Sequence, residues 1–175
     1  MNYEQFILDM YVRLFQELEQ VLKGLTIDEL NIQPTPQSNS IGWLVWHTIR
    51  SQDRMNADLF GEEQLWIREK WYARFNRKPD PKESGVGHSP EEAAAFRAPD
   101  TQIYIEYYQV VFGRTKKYIT TRLSPQDLQR EVFSPTLGTI NTVEGRLIGT
   151  INNLQHIGQA GYVKGMLKGF GWYGR

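Results

Sequence analysis

Apolar residues recur at helical spacing along four long stretches of the chain. From 3 to 23, Phe6, Ile7, Met10, Leu14, Leu18, Val21 and Leu22 fall at three- and four-residue steps, which predicts an amphipathic helix stopped by Gly24. A second stripe (Ile41, Leu44, Val45, Thr48, Met55, Leu59) predicts a helix over 41–60 with Ser40 as its N-cap. A third (Ile103, Tyr107, Val110, Val111, Tyr118, Leu123) predicts one over 101–123, capped by Asp100. The last begins near Asn141 or Thr142, with Glu144 available for a cap, and runs to about Leu167, before a glycine-rich end that cannot continue it.

The segments between are shorter. Thr26-Ile27-Asp28-Glu29 and Ser89-Pro90-Glu91-Glu92 are capping boxes, and Ser124-Pro125-Gln126-Asp127 starts another short turn. Residues 31–39, with Pro34 and Pro36, read as an extended connection. Residues 62–76 are aromatic-rich (Trp66, Trp71, Tyr72, Phe75) and read as helical, whereas 77–99 read as a long loop. Strand signals are nearly absent, and a loop with Pro135 and Gly138 is expected before the last helix. The pattern predicts an all-α, single-domain four-helix bundle spanning 1–175, with short extra helices. Its halves share an order: short capped turns at 25–30 and 123–128, a loop, then a helix carrying a histidine, His47 or His156.

Composition narrows the chemistry. The 175 residues include no cysteine, so disulfides, thiolate metal sites and Cys nucleophiles are excluded. With 20 basic against 20 acidic residues, the chain lacks the surplus that drives nucleic-acid binding. No apolar run approaches ~18 residues and no signal-peptide pattern opens the chain, so a cytoplasmic protein without membrane contact is expected. GxSxG, P-loop, GxGxxG and HExxH motifs are absent, as is the ExxH pattern of di-iron bundles.

A transition metal would therefore rest on three histidines. His47 lies about 120° from the centre of its helix's apolar stripe, on the flank where a side chain reaches a cleft edge. A His bonded to a backbone carbonyl is the structural alternative for it. Asn152, His156, Gln159 and Val163 share one face of the last helix, and Gly158, Gly161 and Gly165 form a second strip suited to close approach by another helix, within the bundle or across a dimer. His88 sits on a glycine-flanked loop, either a surface residue or a ligand. Arg50 or Arg54 could pair with an anionic substrate, and the sequence does not select between them. The five tryptophans read as core and interface.

Ser40-Ile41-Gly42-Trp43-Leu44-Val45-Trp46-His47, Asp53-Arg54, Gly85-Val86-Gly87-His88-Ser89-Pro90-Glu91-Glu92, Leu154-Gln155-His156-Ile157-Gly158-Gln159 and Tyr162-Val163-Lys164-Gly165-Met166-Leu167 occur in an order that resembles the DinB-like (YfiT-like) superfamily over nearly the whole chain. The resemblance implies a four-helix bundle, often a homodimer, with a divalent metal, zinc or nickel, near one end. It also implies metal-dependent thiol transferase or isomerase chemistry of the mycothiol-dependent maleylpyruvate isomerase type. Such enzymes act on a small molecule, with mycothiol, bacillithiol or a similar low-molecular-weight thiol as cosubstrate. The family's first metal ligand matches His47 and its last matches His156. The remaining position falls on Asn152, a neutral amide and a weaker donor than imidazole or carboxylate. Three readings stay open: His88 serves as third ligand, the site binds metal weakly, or metal binding is lost on an intact fold. Gln159 and Tyr162 are expected to orient substrate. The alternative function is a metal-free small-molecule-binding or interaction protein.

Overall fold

The computed structural model describes residues 3–174, save the side chains at 150 and 151. Four long helices make the frame: α1 (Tyr3–Leu22), α3 (Ile41–Phe60), α7 (Thr101–Thr121) and α10 (Thr150–Lys168). They pack in the cyclic order α1, α7, α3, α10. The short helices are α2 (Ile27–Asn31), α4 (Leu65–Arg68), α5 (Trp71–Arg74), α6 (Pro90–Ala95), α8 (Pro125–Leu128) and α9 (Val143–Ile148). The caps fall where the sequence places them. Thr26 and Ser89 close full capping boxes, and Ser40, Asp100 and Ser124 each accept a hydrogen bond from a first-turn backbone N–H.

The all-α bundle is thus the architecture, with four local departures. First, α3 is not a half-buried stripe: every residue from Ile41 to Arg50 is buried. The 62–96 segment wraps its outer face and exchanges hydrogen bonds with it. Asp53 is the clearest case, because its carboxylate accepts from Leu65 N at 3.0 Å and Trp66 N at 2.8 Å and so caps α4. It also accepts from Tyr107 Oη at 2.7 Å and pairs with the fully buried Arg50 at 3.2 Å. Second, 62–76 holds two one-turn helices rather than one segment, separated by Lys70 in the left-handed region. Their aromatics still enter the core, Trp66 at 6.2 Å from Trp46 and Trp71 stacked at 4.9 Å on Tyr107.

Third, residues 131–142 form an antiparallel hairpin, β1 (Glu131–Ser134) with β2 (Thr139–Thr142), in the register Glu131↔Thr142 to Ser134↔Thr139. Gly138 adopts φ +67° and closes the four-residue loop through its N–H to Ser134 O at 2.8 Å. Fourth, the last helix is split at Gly149 into α9 and α10, with Thr142 capping α9 through Gly145 N.

The glycine strip on α10 also has a neighbour besides the helix expected. A Cβ at Gly165 would lie 3.1 Å from Trp172 Nε1, and one at Gly161 would lie 3.4 Å from the same ring. Val21 of α1 stands 3.7 Å from a Cβ at Gly161, and the chain's own C-terminal segment makes the nearest approach. Lys164, buried beneath it, donates to Gln20 O and Lys23 O and so satisfies carbonyls at the end of α1.

Candidate functional site

α3 and the α9–α10 pair run antiparallel, as two side-chain meetings show. His47 and His156 lie edge to face with ring centroids 4.9 Å apart, and Asp58 lies 3.9 Å from Arg146. Eleven residues forward on α3 correspond to ten residues back on the other side. Between these two meetings is a cleft of about 550 Å³, whose helical walls carry His47, Ser51, Gln52, Arg54, Met55, Asp58, Asn152, Asn153, Gln155 and His156. The hairpin and α9 close it with Leu137, Asn141 and Arg146.

Each histidine of the pair is held through Nδ1. His47 Nδ1 is 2.5 Å from Ser84 O, and since a carbonyl only accepts, that nitrogen carries the proton. Burial pushes the His47 pKa down to about 4, opposed by the Ser84 carbonyl and reinforced by His156, Arg54 and His88. The ring is therefore neutral at pH 7 and keeps its lone pair on Nε2. His156 Nδ1 is 2.9 Å from Gln159 Oε1, an acceptor, so that nitrogen likewise carries a proton.

The carbonyl that fixes His47 is positioned by its loop. Gly85 takes φ +84°, and a Cβ there would stand 2.6 Å from Trp43 Cζ2, so only glycine lets the loop press against that indole. Trp43 in turn stacks on His47 at 5.0 Å with the planes 10° apart. Trp43 also donates from Nε1 to His88 Nδ1 at 3.1 Å.

That last bond decides where His88 belongs. Its Nδ1 lone pair is taken by Trp43, its ring lies 6.0 Å from that of Trp46, and its Nε2 is 3.6 Å from Glu83. It braces the loop and does not line the cleft with the other two histidines. Among the described residues, no group of three or more His, Asp and Glu is gathered where a metal could be held. Asn152 does line the cleft beside the pair. Gln159 holds His156 and borders a neighbouring groove, and Tyr162, 74% exposed, lies in that groove with Pro34, Ser38 and Met166, outside the cleft.

The two arginines the sequence left undivided also separate. Arg50 is fully enclosed, donating to Glu83 O at 2.8 Å, Gln64 Oε1 at 2.7 Å and Pro81 O at 3.2 Å besides pairing with Asp53, and its guanidinium stands over Trp66. Arg54 faces the cleft and makes one hydrogen bond among the described residues, Nη1 to Ser84 Oγ at 3.0 Å. Sequence reasoning missed Asp58 and Arg146. Asp58 was findable, since it falls eleven residues after His47 and so on the same helix face. Arg146 depends on the hairpin, whose signal is the run Thr139-Ile140-Asn141-Thr142, three of its four residues β-branched, after a Ser-Pro and a Gly.

A model of the DinB superfamily matches residues 10–160. The chain belongs to the DinB superfamily. No curated protein matches it. A solved structure, titled as that of the conserved protein of locus from Enterococcus faecalis, is similar with a TM-score of 0.83 and 28% identity, covering 97% of this chain and 99% of that one. The family match runs from α1 into α10 and takes in the short helices around α3. No helix among the described residues is long and apolar enough to cross a membrane.

Proposed function

We propose that this DinB-superfamily protein is a divalent-metal-dependent enzyme that transfers a small thiol onto, or through it isomerises, a small molecule bound in the cleft. The observation that carries the reading is the pair of imidazoles 4.9 Å apart, each with Nδ1 fixed by an oxygen acceptor. This is the arrangement by which outer partners orient metal-binding histidines and leave Nε2 basic. The donor set fits zinc or nickel as two imidazoles plus the Asn152 amide oxygen, a weak third ligand that leaves positions open. A divalent ion there would supply Lewis acidity and favour the thiolate form of a bound thiol.

The chain's own contributions are distinct from that chemistry. Ser84 O and Gln159 set the tautomers of His47 and His156, Trp43 holds the His47 ring plane, and burial keeps His47 unprotonated. With no cysteine in the chain, the sulfur nucleophile comes from a cosubstrate. A second reading, a metal-free small-molecule-binding protein, is favoured by the carboxamide at Asn152, which replaces a charged or imidazole donor.

The deciding measurement is elemental analysis of protein purified without a polyhistidine tag, before and after incubation with zinc and nickel. About one divalent ion per chain is expected, lost in folded His47→Ala and His156→Ala variants. No retained metal in any condition overturns the enzyme reading. If Asn152→His then binds metal tightly where the unmodified chain binds none, the second reading stands.

A further inference from the structure

The end of the cleft away from the histidines is polar and under-satisfied. Its charged lining residues are Arg54, Asp58 and Arg146, so with Asp58 ionised it carries one positive charge in excess. The side chains of Asp58 and Arg146 are only 5% and 9% exposed. Arg146 Nη2 donates to Val132 O and Thr139 O, both at 3.2 Å, and this ties the hairpin to α9. Yet neither Arg146 Nε nor Asp58 Oδ2 has a hydrogen-bond partner among the described residues. Asp58 Oδ2 has only the Arg146 charge beside it, Nη1 at 3.9 Å. Buried polar atoms are rarely left so, and an orphaned donor and an orphaned acceptor on two residues of one cleft point to a ligand that meets both. Burial holds the Arg54 pKa below its usual value, reinforced by the neighbouring Arg50 and Arg146 charges and opposed by Asp58. An anion would relieve that repulsion.

We propose that this end of the cleft is a recognition subsite for a 2-hydroxy acid, with Arg54 and Arg146 taking the carboxylate and Asp58 Oδ2 accepting the hydroxyl. The single excess charge matches a monoanion and not a phosphate dianion. An amino acid would bring its own ammonium and leave the excess uncancelled, whereas a hydroxy acid offers the donor without the charge. Arg54 stands seven residues from His47 on the same face of α3, about 10 Å along the axis. Its guanidinium reaches back to Ser84, whose carbonyl holds His47, so the acid group would be anchored beside the histidine pair. That last point alone rests on the proposed function, since the subsite itself requires no metal.

The test uses metal-free full-length protein and glycolate as the probe, read by NMR at the arginine Nε–H signals. Glycolate is expected to shift the Arg146 Nε–H signal, identified by its loss in Arg146→Lys. It should bind more tightly than acetate, glycine, inorganic phosphate or the neutral glycolamide. Arg54→Gln should weaken it tenfold or more, as losing a charge-assisted contact does. Ser84→Ala, which removes the one hydrogen bond of Arg54 but keeps its guanidinium, should bind glycolate normally. If Arg54→Gln fails to fold, Arg54→Lys serves in its place and is expected to weaken binding through loss of the planar fork. Unmoved arginine signals at tens of millimolar glycolate, equal affinity for glycolamide, or tighter phosphate binding each overturn the subsite. Because no metal is present, these failures are separate from failure to retain zinc or nickel.

Discussion

Replacing His47 by Gln should flatten the pH dependence of stability between pH 6.5 and 4. The wild-type ring is neutral and buried, with a pKa pushed from 6.5 down to about 4, chiefly by desolvation. Between those two values the unfolded chain binds a proton that the folded chain does not, so stability falls as the pH drops through this window. Above pH 6.5 both states hold a neutral ring and the difference vanishes. At roughly 1.4 kcal/mol for each pH unit, the full loss is about 3 kcal/mol. By pH 5 about 2 kcal/mol of it has accrued. Glutamine keeps an N–H that can donate to Ser84 O but has no proton to gain in this range. Urea unfolding of metal-free protein at several pH values measures the effect for both chains, and a wild-type titration of ring signals by NMR locates the pKa. Parallel stability curves for the two proteins, or a His47 pKa above 6, would refute the reasoning.

Two further outcomes follow from the packing around the site. Asp53→Ala leaves the fully buried Arg50 guanidinium without its counter-ion and uncaps α4. The expected loss is about 3–5 kcal/mol in urea unfolding, and a loss below 1 kcal/mol would refute the pairing. Gly85→Ala places a methyl against Trp43 in a left-handed backbone conformation. It should cost about 1–2 kcal/mol from the backbone alone and more from the clash, read as a lower unfolding midpoint.

The frame was legible because its signals are local. Ser40, Asp100, Thr26 with Glu29, and Ser89 with Glu92 cap the helices they precede, since each needs only a backbone N–H three residues on. The histidines on α3 and α10 were legible from motif order, and their meeting follows from antiparallel packing of those helices. The burial of α3 on nearly all sides was not legible. It depends on the following segment, 62–96, wrapping back over it, bound by Asp53 and Arg50 through contacts 12 to 33 residues apart that leave no period in the sequence. The hairpin was missed because four-residue strands are too short to establish alternation, and β2 is mostly exposed. With it went Arg146, and hence the polar end of the cleft. His88 was ambiguous as a loop residue until Trp43 was seen to occupy its lone pair.

The hairpin has a consequence for how such a molecule can change. The histidines stand on α3 and α10, whose side chains interlock with the core, so substitutions beneath them disturb stability and site together. The opposing wall is a four-residue loop and two short strands with Phe133, Leu137 and Ile140 exposed. Little of the core depends on the identity of those exposed residues. Residues at the loop can therefore be exchanged, lengthened or shortened at small thermodynamic cost, altering which molecules fit while the imidazole pair keeps its geometry. The fold joins a rigid floor that carries the two histidines to a replaceable wall, and change in what the cleft admits would begin at 135–138.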